Sequence, residues 1–535
     1  MKSILMILPR FYPSGIYDKQ HTGKNYDYMF PLGMAYISSF LKANGVDVTC
    51  LNLNHRQGIV SEILKETISA KHYDFVFTGG LTISYPGIRD IVQDICKFSS
   101  DTTIVVGGGI MSSQPEIMFD LLKPDYGIIG EGELVALDLI QGSNNIDGLV
   151  FKFGGALLKT EPRASITDLD ALPFPDYEGF GIEEYLNNIT PGQLSLFDIF
   201  DIPRPYLVLA SRSCPFNCTF CYHPLGQKYR QRSIDNIMEE ISTVVKKYQI
   251  NLLIFYDELF AKDPVRVEEF CRRLTEFQKT IPWEIKWCCA LRVDYVTDDL
   301  LKQMKDSGCY MICPGLESYS QTVLTSMKKH ITPEQINRAV QLIRNNQIGL
   351  QGTFIFGDTA ETKDTAKETL DYYRNNIDII QDAVGLGFIH PFPGSEIYKV
   401  SMGNGLIKDE YLQICNREEK GLDFFNPQKL TSSLSDDEFA GLVDEVLIAT
   451  HTTGHFVILN GRMVVCPYCG YARNVHKSLI PTGFSAQPVG CLKCYGRFKI
   501  VTRYHVIMRF LIKYLGFKNT SNIKNYFFPS VGDFP

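Results

Sequence analysis

Several things are missing from this 535-residue chain. No stretch approaches the ~20 consecutive apolar residues that cross a bilayer. The opening segment has one lysine ahead of a short apolar run, Ile4–Leu8, broken by Pro9. That run lacks the length and the small-residue cleavage site of a signal peptide, so it reads as a first buried strand in a cytoplasmic protein. There is no internal repeat and no low-complexity tract. At 45% hydrophobic and 21% charged residues, dominant disorder is excluded. Acidic residues are absent from Gly461 to Gly532, which holds eleven Lys and Arg, whereas residues 1–460 carry 42 basic and 59 acidic side chains. An acidic body therefore bears a basic tail. A disulfide framework is not expected in the cytoplasm, although there are fifteen cysteines. Seven fall into tight groups; Cys50, Cys96, Cys271, Cys288, Cys289, Cys309, Cys313 and Cys415 read as buried, inert thiols. Cys309 and Cys313, four apart on one strand, are expected to face the same side.

What is present divides into domains, since the length is too great for one core. Over residues 1–150, strands are expected at Ser3–Leu8, Val46–Leu53, Phe75–Thr78, Thr103–Val106 and Tyr126–Ile129, with helices such as Leu32–Asn44 and Pro86–Phe98 between them. Continuous apolar strands alternating with helices imply a doubly wound parallel sheet of Rossmann-like type. Ligands in such sheets sit beyond the strands' carboxyl ends. Those ends carry Gly79-Gly80, Gly107-Gly108-Gly109 and Gly130-Glu131-Gly132-Glu133, suited either to a large flat ligand or simply to tight turns. Residues 151–203, with Leu172-Pro173-Phe174-Pro175, read as a connector. From 204 to 395 six strand–helix units suggest a partial (β/α)6 barrel, with function in the loops after each strand. A helical extension is expected over 396–460, and the basic tail over 461–535.

Directly after the strand Tyr206–Ala210 comes Ser213-Cys214-Pro215-Phe216-Asn217-Cys218-Thr219-Phe220-Cys221-Tyr222. Three thiolates spaced C-x3-C-x2-C hold three irons of a cubane and leave the fourth open to a small-molecule chelator; the alternatives are a zinc knuckle or a plain redox cluster. This motif, its Tyr222 and the barrel that follows resemble the radical S-adenosylmethionine (SAM) family. The resemblance implies a [4Fe–4S] cluster on Cys214, Cys218 and Cys221, SAM bound at the open iron and cleaved to a 5′-deoxyadenosyl radical, and an electron donor such as flavodoxin or ferredoxin. It places Asp257 and Glu258 near the SAM amine, Arg292 at the methionine carboxylate, and Glu317 at the ribose or amine. Gly352…Gly357…Glu361-Thr362 and Pro391-Phe392-Pro393-Gly394 resemble the fifth- and sixth-strand signatures.

The doubly wound domain ahead of that barrel, with Pro31-Leu32-Gly33-Met34-Ala35-Tyr36, the glycine turns, Gly130–Glu133 and Asp168–Pro175, resembles the cobalamin-binding subclass over about residues 1–450. The resemblance implies corrin contacts at Gly79, Gly80, Thr82, Ser84, Gly107, Gly108, Gly109, Glu131 and Gly132, without the Asp-x-His-x-x-Gly cobalt ligand motif; a domain that has lost the cofactor is the alternative. It implies methylation of an unactivated carbon in a lipid or specialised metabolite, or else cyclisation or rearrangement. A non-catalytic redox-sensing protein is the reading from another class.

In the tail, Cys466-x2-Cys469 and Cys491-x2-Cys494 form two knuckles suited to a zinc ribbon, with rubredoxin-like iron the alternative. Val506, Ile507, Phe510, Leu511, Tyr514 and Leu515 recur at helical spacing beside Arg503, Arg509 and Lys513. Such a helix rests on an anionic membrane at the inner face or docks on the acidic body. No base-reading motif supports a nucleic-acid partner.

Overall fold

A computed structural model describes residues 2–12, 17–260, 262–407, 427–481, 486–503 and 506. The first sheet contains β1 Ser3–Leu8, β2 Asp47–Asn52, β3 Phe75–Gly79, β4 Thr103–Gly107, β5 Tyr126–Ile128, β6 Leu149–Phe153 and β7 Ala156–Lys159. Their order is β2-β1-β3-β4-β5-β6-β7, parallel through β5 and antiparallel thereafter. Strand composition explains the burial of both faces. Ile4, Met6, Phe75, Phe77 and Val105 enter one core, and the alternating Leu5, Ile7, Val76, Ile104 and Val106 enter a second. The order reverses between β1 and β3, which opens a crevice at their carboxyl ends.

The expected boundary at residue 150 is corrected, because the β6–β7 hairpin extends the sheet to Lys159. The connector is corrected too. Tyr177, Phe180, Tyr185 and Phe197 are buried in the same core as the barrel strands. Tyr177 packs edge-on against Phe30 of the first domain and Tyr206 of the barrel, with ring centroids 4.8 and 5.0 Å away. Aromatic residues made this segment a wedge between domains despite its prolines.

The barrel is formed by β8 Pro205–Val208, β11 Leu252–Phe255, β12 Lys286–Leu291, β13 Cys309–Pro314 and β14 Gly349–Leu350, all parallel in that spatial order. Between β8 and β11 a short ladder joins β9 Ser211–Arg212 to β10 Arg230–Gln231. The fifth strand breaks at Gln351 and resumes as β15 Gly352–Phe356, parallel to β16 Val384–Phe388. Glu317 carries the ladder across the break, its N–H donating to Thr353 O and its carbonyl accepting from Ile355 N. The outer helices begin at strong caps: Asp263 accepts from Val265 N ahead of Pro264, and Thr332 with Gln335 forms a capping box.

A register irregularity between Trp287 and Cys288 puts an extra residue in β13, pairing Cys288 with Met311. Strict alternation fails at such a bulge. Cys309 turns back to the Met311 carbonyl at 3.6 Å, whereas Cys313 reaches Gln351 Oε1 at 3.8 Å. The same-side expectation for this pair is therefore corrected.

After the helix Asp436–Thr452, the tail module starts earlier than residue 461. Strand β17 Phe456–Ile458 is followed by β18 Met463–Val465, β19 Ala472–Asn474, β20 Ala486–Gly490 and β21 Arg497–Val501, and β17 pairs with β21. The amphipathic segment from Ile507 onward lies outside the described residues. Among the described residues no helix is long and apolar enough to cross a membrane.

Candidate functional site

The loop 213–229 holds Cys214, Cys218 and Cys221 at the carboxyl end of the barrel, closed at its base by the β9–β10 ladder. Cys221 N donates to Cys218 O at 3.1 Å, a turn that brings these two thiols onto one side. Thr219 ties the loop to the far rim: its N–H donates to Met327 O (3.1 Å) and its carbonyl accepts from Ile397 N (2.9 Å). Cys218 is the buried member of the three. This donor set fits a cluster with one open iron.

The residues expected near SAM surround this loop in differing roles. Asp257 is buried; its Oδ1 accepts from the Ser211 N–H and Oγ, bracing β9, while no hydrogen-bond partner is found for the buried Oδ2 among the described residues. Burial pushes its carboxyl up to about 7, against the opposing Ser211 hydrogen bonds. Glu258 reaches into the loop to His223 Nδ1 at 3.1 Å and stays partly exposed. Arg292 gives its bidentate fork to Asp294 (2.9 and 3.0 Å) and lies 3.8 Å over the Phe216 ring of the cluster loop. Through that stacking it positions the loop. Glu317 accepts from Lys329 Nζ at 2.6 Å, both side chains nearly buried. Lys329, missed by sequence reasoning, sits close enough to Cys218 and Cys221 that their negative charge helps Glu317 overcome burial and hold its ammonium above the usual value.

On the other domain, the loops after β3 and β4 press together. A Cβ at Gly79 would lie 2.3 Å from Gly107 O, and one at Gly108 would lie 2.9 Å from Gly80 O. Thr82 is buried and Ser84 flanks it on the short helical turn 82–84, while Leu81 and Ile83 stand 58% and 42% exposed. An apolar pair beside hydroxyls at a topological switch point fits the edge of a corrin. Gly132 allows close packing, since a Cβ there would meet Ile37 Cδ1 at 2.6 Å.

The two halves touch through Tyr222. One residue beyond Cys221, its hydroxyl donates to the Gly109 carbonyl at 3.1 Å. Its ring lies against Gly394, where a Cβ would stand 2.5 Å from the ring in a backbone conformation of φ +93. Burial raises the phenol's pKa well above its ordinary value, so it stays a neutral donor.

Glu131 is engaged within the protein. Its carboxylate accepts from Arg212 (2.8 Å), twice from Arg230 (2.8 Å each) and from Ile166 N (2.7 Å). Glu133 takes the other arm of Arg212 at 2.6 Å. Arg212 and Arg230 stand opposite each other in the β9–β10 ladder. Burial alone would lower the Arg212 guanidinium, but Glu133 and Glu131 outweigh it. Sequence reasoning missed both arginines; their signal was the position of each at an end of the cysteine loop.

In the tail, the sulfurs of Cys466, Cys469, Cys491 and Cys494 all lie within 4.8 Å of one another, with Cys466–Cys494 at 3.8 Å and Cys469–Cys491 at 3.6 Å. Residues 470 and 495, each following a second cysteine, have φ +70 and +52; the second is a tyrosine, with Gly496 one place later.

A model of the Radical SAM superfamily matches residues 208–373, and one of the B12 binding domain matches residues 22–140. An uncharacterized methyltransferase of Pyrococcus horikoshii is 28% identical over 390 residues, covering 70% of this chain and 79% of that protein. The anaerobic magnesium-protoporphyrin IX monomethyl ester cyclase of Rubrivivax gelatinosus is 28% identical over 392 residues, covering 69% and 66%. The radical S-adenosylmethionine methyltransferase TsrM from Kitasatospora setae, solved with cobalamin and a [4Fe–4S] cluster bound, shares the fold. It superposes with a TM-score of 0.61 at 17% identity, covering 76% of this chain and 79% of that one.

Proposed function

We propose, from the premise that this chain is a radical SAM protein carrying a B12 binding domain, that it is a cobalamin-dependent methyltransferase acting on an unactivated carbon of a small specialised metabolite or lipid. Cys214, Cys218 and Cys221 would hold the cluster, and the loops after β3 and β4 would hold the corrin. When bound, these cofactors and SAM supply a methyl group and a hydrogen-abstracting 5′-deoxyadenosyl radical. An external flavodoxin- or ferredoxin-type donor would supply the electron. The C-terminal thiolates would hold zinc.

The chain's own part is orientation. The observation that carries the reading is the Tyr222–Gly109 contact, which sets the cysteine loop directly against the B12-domain loops. Two cofactors can act on one substrate only if their faces share a cavity. Asp257 and Arg292 brace the loop, Lys329 sets a positive charge beside its sulfurs, and Phe392, Leu81 and Ile83 present exposed apolar surface at the strand ends. The relatives' names support methyl transfer, and the Rubrivivax cyclase keeps ring formation as the second reading.

Anaerobic protein reconstituted with iron, sulfide, cobalamin, SAM and a reductant is expected to release 5′-deoxyadenosine, with S-adenosylhomocysteine appearing alongside. Cys218→Ala should abolish the nucleoside. Nucleoside without S-adenosylhomocysteine selects the cyclase; no nucleoside from the intact protein overturns the enzyme reading.

A further inference from the structure

The four-cysteine module lies at the end of the barrel opposite the cluster loop. Tyr495, next to Cys494, packs edge-on against Tyr310, near the start of β13, with ring centroids 5.9 Å apart. Lys286, the first residue of β12, lies 5.6 Å over the same ring. Gly349, the first residue of β14, has the Tyr495 carbonyl 3.3 Å from where a Cβ would stand. Arg497 enters between them: its N–H donates to Gln381 Oε1 just ahead of β16, and its guanidinium pairs at 2.6 Å with Asp198, which is buried in the segment leading to β8. These are the amino-terminal ends of five barrel strands, so the module occupies the floor of an open barrel.

The sulfur spacing identifies what holds the module together. A tetrahedral site with metal–sulfur bonds of about 2.3 Å has sulfur–sulfur edges of about 3.8 Å, and the two observed edges are 3.8 and 3.6 Å. Bound thiolates would carry net negative charge, and the module is ringed with cations. Arg344, half-buried on the helix Pro333–Asn345, reaches Cys494, and Arg473 faces Cys491. Among the described residues the module's own core holds eight buried apolar residues, two of them ligand cysteines, too few to fold such a ribbon unaided. Six-residue β13 spans roughly 17 Å from the floor toward the cluster end.

We propose that Cys466, Cys469, Cys491 and Cys494 bind one zinc ion, and that this metal seats the tail as the floor of the barrel, sealing the radical site from below. The inference rests on the zinc reading above and extends it to a structural role. Its test uses the full-length, cluster-loaded protein. Elemental analysis is expected to give one zinc per chain beyond the cluster iron, retained through dialysis against a chelator. Protein made with cobalt in place of zinc is expected to show the absorption of a tetrahedral tetrathiolate. Hydrogen exchange then reports the floor separately. Arg497→Gln keeps all four thiols, so it should retain zinc while speeding exchange at least about tenfold in the amino-terminal halves of β12 and β13, with exchange in β1 and β3 unchanged. Cys494→Ser should lose zinc and speed exchange in the same strands. Absence of zinc, or iron in its place, overturns the metal assignment and with it the proposal. Zinc present, with floor exchange unchanged in Arg497→Gln, overturns the floor role alone.

Discussion

Removing Glu131 tests whether the first domain holds the cluster loop closed. The β9–β10 ladder sets Arg212 directly across from Arg230, with side chains 7% and 4% exposed. Like charges opposite one another destabilise a ladder, and this pair is tolerated because Glu131 accepts from both arginines. Glu131→Met leaves two buried guanidiniums with only Glu133 against them. Stranding one partner of a buried pair costs about 3–5 kcal/mol, a large share of the ~5–15 kcal/mol that stabilises a domain. Arg230→Met in the same chain removes the stranded charge, and replacing both partners of a buried pair with apolar groups is nearly neutral. Denaturant unfolding of the single variant is therefore expected to show the full loss, and the double variant to recover most of it. Chelator should strip iron faster from the single variant, because the loop's base is open. The sign with pH follows from the carboxyl. Burial raises its pKa, but Arg212 and Arg230 outweigh it and hold it below its ordinary 4.5. Its stabilisation is thus present above pH 4.5 and is lost only as pH falls through the lower folded value. A single variant within about 0.5 kcal/mol of the parent, or a double variant as unstable as the two losses combined, would refute the reasoning.

Other expectations concern separate parts of the structure. Glu361 is buried with hydrogen bonds from Thr365 Oγ1 (2.6 Å) and Gly357 N (3.2 Å), and burial pushes its carboxyl up to about 7. A raised carboxyl favours the fold below pH 4.5 and loses that contribution as pH rises through 7, so the urea midpoint should fall over this window; Glu361→Gln should flatten the fall, by roughly 3 kcal/mol at most. Gly394→Ala places a methyl against the Tyr222 ring at φ +93; thermal unfolding should show a loss of about 1–3 kcal/mol, and adding Tyr222→Ala should relieve the steric part, giving a non-additive pair. Arg292→Met removes the stacking on Phe216, so iron should be more chelator-labile at unchanged overall secondary structure by circular dichroism.

Much of this architecture is legible in the sequence because strong local signals agree with the tertiary result. The run Ile4–Leu8 is apolar at every position, as a short strand buried on both faces requires, and Gly45 and Pro86 mark the ends of their helices. The three cysteines of the loop carry their chemistry in their spacing alone. What escapes is set by contacts between residues far apart in the chain. Glu131 reads as a ligand-facing carboxylate until Arg212 and Arg230, 81 and 99 residues on, fill its acceptors. Arg292 reads as an anion fork, and Asp294 two residues away takes its Nε and one Nη. Prolines at 173 and 175 suggest a linker, but Tyr177 and Phe180 bury against both domains. A bulge has no sequence mark in β13, so alternation misplaces Cys309 relative to Cys313.

Contacts from distant parts of the chain converge on one loop. Residues 213–229 are anchored by Glu131 through the arginines at their base, by Gly109 and Gly394 through Tyr222, and by Met327 and Ile397 through the backbone of Thr219. Each anchor lies on a different element, and two of them, Glu131 and Gly109, belong to the other domain. The loop itself has little regular structure to hold three thiolates at fixed separations. Its geometry is therefore imposed from outside, and the domain that would bind the corrin is also part of the mould for the cluster. A truncated barrel lacking residues 1–160 should, on this argument, fail to retain four irons even though every cysteine ligand is present, and iron analysis of that fragment beside the full chain decides the point.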